Sequence, residues 1–183
     1  MALRKLAYDE IKMRRSTPED LRSKKRFPIY GVLENIRSMY NVGAAFRTSD
    51  AACVQELLLC GYTAQPPRSQ IEKTALGATE TVPWRHFNST IDSISYLKNQ
   101  GVTVVALEHC NESKNLFTAE LSFPVALLVG NEVDGLNEET VSHCDIACEI
   151  PMFGTKQSLN AAVAYGIAVF ELTRKYLALN EKG

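Results

Sequence analysis

Uninterrupted apolar runs alternate with polar, helix-like segments along most of this chain. The runs VTVVAL at 102–107 and FPVALLV at 123–129 lack the period of two of a strand with one wet face, which indicates strands covered on both faces. Capping residues, glycine stops and helical spacing mark the segments between such runs. Because strands that alternate with helices build parallel sheets, the pattern predicts an α/β fold, with a mostly parallel sheet and helices on both faces.

The individual elements follow from the same pattern. Strands are predicted at 29–33, 56–60, 102–107, 123–129 and 145–150, with a short edge strand at 81–84. Helices are predicted at 2–15, from Pro18 onward, at 44–53, within 71–76, and at 90–99, 137–143 and 158–177. We expect one domain over residues 28–183, preceded by an N-terminal helical arm over residues 1–27.

The last helix has an unusual composition. Residues 150–171 read IPMFGTKQSLNAAVAYGIAVFE, and residues 161–170 contain no charge. A helix that is apolar all round is buried on all sides. Ser158 is predicted to be its N-cap, so that Ser158 and Asn160 lie at its start, beside a loop of free backbone amides. This arrangement predicts a ligand site.

Three candidate segments follow predicted strands, at residues 107–108, 130–136 and 150–160. Ligands of parallel sheets bind at the carboxyl ends of the strands, so we expect these segments to meet. The segment GNEVDGL at 130–136 is also compatible with an ordinary strand-to-helix turn. The sequence contains neither GxGxxG after its first strand nor GxxxxGK[ST], so the common dinucleotide and nucleotide sites lack support.

Composition excludes several classes of protein. Apolar residues make up 45% and charged residues 22% of the 183 residues, as is ordinary for a globular domain. No apolar run has the length of a membrane span, and residues 1–16 lack the apolar core of a secretion signal. The five cysteines show no zinc spacing. We expect reduced thiols, most of them filling the core, in a cytoplasmic protein without a metal site.

The N-terminal arm is basic. Residues 1–26 hold nine Lys or Arg and four Asp or Glu, a net charge of +5, while the whole chain has a net charge of −1. A basic arm on a mildly acidic body suggests a polyanionic partner. A solvated helix and linker would have the same charge, and composition alone does not separate the two interpretations.

Arg47 falls within a predicted helix that is otherwise rich in small apolar residues. The segment NIRSMYNVGAAFRT at 35–48 has the form of a polar substrate loop that leads into this helix. An arginine in such a setting needs a partner, for which Glu132 or a phosphate would serve. A structural arginine–carboxylate pair is the alternative interpretation.

Three segments together resemble the three motifs of the SpoU/TrmH family of RNA ribose 2′-O-methyltransferases. They are NIRSMYNVGAAFRTSD at 35–50, LLVGNEVDGL at 127–136 and the segment at 150–171, in the family's order and spacing. The resemblance spans about residues 29–177. It implies an S-adenosylmethionine-dependent enzyme that methylates tRNA or rRNA, with a C-terminal trefoil knot (the SPOUT methyltransferase fold) and a homodimeric assembly.

The resemblance also implies roles for particular residues. Asn41 and Arg47 match the polar residues of the first motif, where Arg47 would hold the target phosphate and help to activate the ribose hydroxyl. Glu132 matches the acid of the second motif, expected to position Arg47 and Asn41. Ser158 and Asn160 match the polar pair of the third motif, expected to face the ribose.

The implied cofactor pocket is formed mostly by backbone and apolar groups. The matching positions are Leu107, Gly130, Ile150, Met152, Leu159 and Asn160. The basic arm is expected to contact RNA in such a protein, and its candidate residues, together with Arg47, are Arg4, Lys5, Lys12, Arg14 and Arg15.

The chemistry leaves one role open. A ribose 2′-hydroxyl must lose its proton and approach the sulfonium methyl group in line. Guanidinium hardly deprotonates, and the alternative is that Arg47 orients the phosphate while another group or water takes the proton. His86, His109 and His143 are interpreted as loop or helix-end residues. A non-catalytic RNA-binding or assembly factor is the alternative function, although such a copy would be expected to lose some of the five polar motif residues.

Overall fold

A computed structural model describes residues 3–23 and 25–180. It contains seven strands, β1 (Phe27–Glu34), β2 (Val54–Cys60), β3 (Trp84–Phe87), β4 (Thr103–Leu107), β5 (Lys114–Asn115), β6 (Val125–Val129) and β7 (Ile146–Glu149). Its eight helices are α1 (Tyr8–Lys12), α2 (Pro18–Ser23), α3 (Met39–Ala51), α4 (Ser69–Ala75), α5 (Ala78–Thr81), α6 (Thr90–Lys98), α7 (Glu138–Ser142) and α8 (Ala161–Asn180). Residue 2, where the first predicted helix begins, Lys24 of the basic arm and residues 181–183 lie outside the described residues.

The strands form one sheet in which every pair is parallel, in the order β3-β2-β1-β6-β4-β7-β5. Helices α3, α4 and α8 cover one face and helices α6 and α7 cover the other. The central strand β6 is buried at all five positions. The prediction of an α/β fold with helices on both faces is confirmed, because strands buried on both sides need apolar residues at every position.

Most predicted elements are present, but several boundaries differ. The helix predicted at 44–53 begins at Met39, because the Ser38 hydroxyl accepts the Asn41 amide hydrogen at 3.3 Å and caps it. The helix predicted at 2–15 is reduced to α1, which has no buried residue. The edge strand lies at Trp84–Phe87 instead of 81–84. The prediction that His86 lies in a loop is therefore wrong. Helix α5 and the two-residue strand β5 were not predicted.

Helix α8 differs from the prediction in two ways. Its N-cap is Asn160, whose Oδ1 accepts the amide hydrogens of Ala162 at 3.0 Å and Val163 at 3.3 Å, so the assignment of Ser158 as the cap is wrong. The helix is also buried on one side only. Its exposed side carries an apolar stripe that comprises Val163, Ile167 and Phe170, with exposed fractions of 51%, 36% and 50%.

A buried contact joins α8 to α3 inside the core. The hydroxyls of Tyr165 and Ser49 share a hydrogen bond of 2.7 Å, and both residues are completely buried. Gly31 of β1 makes room for this contact, since a Cβ atom there would lie 2.3 Å from the Tyr165 hydroxyl oxygen. The glycine is thus required by packing instead of by a turn.

Two further findings concern composition. All five cysteines are free thiols. Cys60 and Cys148 are buried and the other three are half-buried. Among the described helices, none has both the length and the apolar character needed to cross a membrane.

Candidate active site

A cavity of about 230 Å³ opens at the carboxyl ends of the central strands. The three segments predicted to meet there do so. The cavity is lined by Leu107, Glu108, His109, Val129, Gly130, Asn131, Glu132, Val133, Asp134, Gly135, Glu149, Ile150, Met152, Ser158, Leu159, Ala161 and Ala164. This lining includes every residue predicted for the cofactor pocket except Asn160.

The 130–136 loop is folded tightly against itself. Asn131 and Gly135 exchange two backbone hydrogen bonds of 3.0 Å, and Asn131 Oδ1 accepts the amide hydrogens of Val133 and Asp134. A Cβ atom at Gly130 would lie 2.2 Å from the Gly135 carbonyl carbon. Only glycine permits such a close approach of two backbone segments. These contacts hold the loop in a conformation that projects Glu132 toward α3.

The Glu132 carboxylate lies at the start of α3. Its oxygens accept the amide hydrogens of Arg37 at 2.9 Å and Ser38 at 3.0 Å, and Asn41 Nδ2 donates to it at 2.7 Å. Partial burial alone would raise the pKa of Glu132, but these hydrogen bonds outweigh burial and leave its pKa below the ordinary value. The charged carboxylate also complements the positive end of the helix dipole.

Asn41 connects Glu132 to the third motif. While its amide nitrogen donates to Glu132, its Oδ1 accepts a hydrogen bond of 3.2 Å from Asn160 Nδ2. Asn160 Oδ1 in turn caps α8. One hydrogen-bonded chain, Glu132–Asn41–Asn160, thus joins all three motifs and sets the orientation of both amide groups beside the cavity.

Arg47 and Ser158 do not belong to this hydrogen-bonded chain. Arg47 is exposed on α3, fewer than two turns beyond Asn41, and its side chain makes no hydrogen bond or ion pair within the part of the chain that the structure describes. The expected contact with Glu132 is therefore absent among those residues, because Glu132 is occupied by Asn41 and the two loop amides. The alternative of a structural arginine–carboxylate pair is wrong, because no ion pair among the described residues involves Arg47. Ser158 lines the cavity and is exposed.

Three polar residues of the cavity had been given no role from the sequence. The Glu108 carboxylate accepts the amide hydrogens of Leu136 and His109, both at 2.9 Å. His109 lies between Glu149 Oε2 at 3.2 Å and the Gln157 carbonyl at 3.0 Å, and the hydrogen bond to Glu149 raises the pKa of His109. Glu108 lies in the segment 107–108 that was already predicted at the site, and Glu149 ends β7, so the rule that ligands bind at strand ends could have found Glu149 as well.

Comparison with known proteins agrees with this geometry. Residues 28–170 match the model of the SpoU rRNA Methylase family. The chain is 33% identical over 155 residues to the 23S rRNA (guanosine-2′-O-)-methyltransferase RlmB of Neisseria meningitidis serogroup B, an alignment that covers 85% of this chain and 62% of that protein. The chain therefore spans less than two thirds of this relative's length.

Solved structures share the fold. An AdoMet-bound rRNA methyltransferase from Sinorhizobium meliloti is 34% identical, with a TM-score of 0.77 over 86% of this chain and 60% of that one. The TrmH/SpoU tRNA modifying enzyme of A. aeolicus is 28% identical, with a TM-score of 0.78 over 93% of this chain and 86% of that one. The match over residues 28–170, together with these similarities, establishes that the chain belongs to the SpoU rRNA methylase family.

Proposed function

We propose that this protein transfers a methyl group from S-adenosylmethionine to a ribose 2′-hydroxyl of rRNA or tRNA. The hydrogen-bonded chain Glu132–Asn41–Asn160 beside the cavity carries this proposal. It places two oriented amide groups next to a pocket in a member of a methyltransferase family. The names of the relatives, one an rRNA and one a tRNA enzyme, support both classes of RNA.

The cavity has the chemistry that the cofactor requires. S-adenosylmethionine carries a positive sulfonium and an ammonium group, and the lining contains the carboxylates of Glu108, Glu132, Asp134 and Glu149. Opposite charge in a partly enclosed pocket favours such a ligand. Gly130, Ile150 and Leu159 would hold it through backbone groups, and Leu107 and Met152 through apolar contact. When bound, the cofactor supplies the electrophilic methyl group.

The residues of the chain would orient the ribose. Asn41 and Asn160 can hydrogen-bond to a hydroxyl, and Glu132 keeps Asn41 in place through its short hydrogen bond. Ser158, exposed at the cavity, supplies another hydroxyl partner. Holding the nucleophile close to the methyl group in line is the main contribution expected of such side chains.

Arg47 is proposed to bind the phosphate next to the target ribose. Its side chain is exposed on the helix that carries Asn41, and guanidinium groups bind phosphate through paired hydrogen bonds. We expect Arg47→Ala to lower methyl transfer by about 100-fold or more while leaving cofactor affinity nearly unchanged. Initial rates with RNA and calorimetry with S-adenosylmethionine measure the two quantities, and equal loss in both would contradict this role.

The N-terminal arm is proposed as a further RNA contact. Arg4 pairs with Glu10 at 2.7 Å, whereas Lys5, Lys12, Arg14 and Arg15 are exposed. Each phosphate contact made by a basic residue steepens the salt dependence of RNA binding. Replacing Lys12, Arg14 and Arg15 by Gln should therefore weaken RNA binding and flatten its dependence on salt. An unchanged salt slope would leave the arm as a solvated linker.

The apolar stripe of α8 supports a homodimer. Val163, Ile167 and Phe170 lie four and three residues apart on one side of the helix, and large apolar side chains exposed together mark an interface. Ile167→Glu should produce monomers in sedimentation velocity. Leu179→Glu is the control, since Leu179 is 59% exposed but points about 180° away from Phe170 around the helix. If both variants stay dimeric, the stripe is not the interface.

Family membership also leads us to propose the trefoil knot and a cytoplasmic location. The arrangement of the C-terminus supports the knot, because β7 pairs with β4 while the following helix α8 packs on β1 and β6.

Tritium transfer from S-adenosylmethionine into total RNA tests the activity. Digestion to nucleosides should place the label in 2′-O-methylated nucleosides. No incorporation into any rRNA or tRNA pool would contradict the proposal, and absence of cofactor binding in calorimetry would favour a non-catalytic RNA-binding factor.

A further inference from the structure

Tyr62 is an exposed aromatic residue that is held at both ends. Its side chain is 62% exposed, yet its hydroxyl accepts a hydrogen bond of 2.7 Å from Asn131 Nδ2. Its backbone amide donates to Asn35 Oδ1 at 3.2 Å. A surface tyrosine usually moves between rotamers, whereas these two bonds hold this ring in one place with much of its surface in water.

The residues that hold Tyr62 are the residues that build the active site. Asn131 directly precedes Glu132, and its amide nitrogen also donates to the Asn35 carbonyl at 2.9 Å. Asn35 begins the 35–38 loop, whose amides at Arg37 and Ser38 bind Glu132. The ring is therefore tied to both loops that position Asn41.

The loop that carries Tyr62 is itself tied to this region. The Thr63 hydroxyl donates to the Leu33 carbonyl at 3.0 Å and accepts the Ile36 amide hydrogen at 3.0 Å. Thr63 is 2% exposed. The backbone on the other side of Tyr62 is thus anchored to the end of β1, and the ring has little freedom to turn away.

We infer that the exposed face of Tyr62 is a stacking surface for an unpaired base of the substrate RNA, next to the nucleotide that is methylated. This inference rests on the proposed function. Proteins recognise single-stranded RNA by stacking splayed bases on aromatic rings, and a ring that is already immobilised loses little entropy when a base stacks on it. The protein thus selects RNA whose target nucleotide lies in a loop or at a helix end.

The structural alternative is that the Tyr62 hydroxyl serves only as a hydrogen-bond acceptor for the Asn131 side-chain amide. The two interpretations predict different relative losses of RNA affinity in two variants of Tyr62. Tyr62→Phe keeps the ring and removes the hydroxyl, whereas Tyr62→Leu removes both. Both leave the Asn131 amide hydrogen without its partner, so a purely structural role predicts similar losses.

Stacking predicts that the two variants differ clearly in their affinity for RNA. Loss of one stacked base corresponds to a decrease in RNA affinity of about tenfold to a hundredfold. We expect this decrease for Tyr62→Leu and a change of less than about threefold for Tyr62→Phe, read as the KM for RNA with kcat little changed. Calorimetry should show unchanged affinity for S-adenosylmethionine in both variants.

A binding assay with a short fluorescently labelled oligoadenylate separates this inference from the proposed activity. Wild type and Tyr62→Phe should bind it alike, and Tyr62→Leu should bind more weakly. Equal binding by all three proteins overturns the stacking surface even if methyl transfer is established. Equal losses in Phe and Leu variants overturn it in favour of the structural role. Failure of the wild type to methylate any RNA contradicts the proposed function, and the oligoadenylate result then still decides the role of Tyr62.

Discussion

The carboxylates of Glu34 and Glu132 stand at the ends of neighbouring strands, in surroundings that differ in their supply of hydrogen-bond donors. Glu34 ends β1 and is 1% exposed. Its Oε1 accepts from Asn137 and, at 3.1 Å, from Thr140. Its Oε2 is buried and has no hydrogen-bond partner among the described residues. Glu132, past the end of β6, has donors at both oxygens.

The pKa values of the two acids are therefore shifted in opposite directions. Burial raises the pKa of Glu34, and its hydrogen bonds offset burial only in part. For Glu132 the hydrogen bonds more than offset burial, and its pKa is lowered. A buried oxygen without a donor favours the neutral acid, whereas donors on both oxygens favour the anion. A glutamate thus contributes to packing on one face of the sheet at position 34, and it positions Asn41 beside the cavity at position 132.

Removal of the Glu132 carboxylate should have the largest effect on activity. In Glu132→Ala, Asn41 and the two loop amides lose their shared acceptor, so the orientation of Asn41 is lost. We expect methyl transfer to fall by about 100-fold or more, since hydrogen bonds to a charged group contribute about 1.5–3 kcal/mol. Initial-rate kinetics measure this effect, with circular dichroism as the check on folding. A folded variant with wild-type rates would contradict the role of Glu132 in positioning Asn41.

Removal of the Glu34 carboxyl should affect stability instead of catalysis. Glu34→Ala leaves Asn137 and Thr140 without an acceptor in the core and should lower the free energy of unfolding by about 2–3 kcal/mol. Glu34→Gln keeps an acceptor oxygen and should change the free energy of unfolding by less than about 1 kcal/mol. Urea unfolding measures both. If Gln destabilises as much as Ala, the core hydrogen bonds of Glu34 require the charged carboxylate, which would contradict the raised pKa of Glu34.

The smallest expected effect is on the pH dependence of stability. The ordinary pKa of both acids is 4.5. The lowered pKa of Glu132 contributes stability that is present above 4.5 and is lost as pH falls through its folded pKa. The raised pKa of Glu34 contributes stability that is present below 4.5 and is lost as pH rises through its folded pKa.

Urea unfolding at a series of pH values tests both signs. Relative to wild type, Glu34→Gln should gain stability as pH rises above 4.5. The wild type is destabilised as the Glu34 carboxyl ionises, whereas the Gln side chain does not ionise. Glu132→Gln should be destabilised near neutral pH and approach wild type in acid. Parallel curves for wild type and either variant would contradict the corresponding pKa direction.

The sequence was informative wherever burial decided the structure. The runs at 102–107 and 123–129 could only be buried strands, and β4 and β6 lie there. The segments after these strands meet at the cavity because parallel strands end at the same edge. The resemblance placed Asn41, Glu132 and Asn160 together, and the structure joins them by hydrogen bonds.

Contacts between distant segments were the harder part. Ser158 and Asn160 are both good caps, and their local sequence does not say which one caps α8. The contact of Asn160 with Asn41, 119 residues away, favours Asn160. Glu132 or a phosphate was the expected partner of Arg47, but the amides of the 35–38 loop reach the Glu132 carboxylate instead. The exposed side of α8 is as apolar as its buried side, so composition could not distinguish the two.

The hydrogen bond between Ser49 and Tyr165 bears on the proposed reaction. Ser49 lies on the helix that carries Asn41, and Tyr165 lies on the helix that Asn160 caps. A contact inside the core, away from the cavity, therefore helps to fix the separation of the two amide groups. In the proposed methyl transfer, a substitution there, or at Gly31 beneath it, would change the rate from a distance, and selection on catalysis would extend to residues that look purely structural.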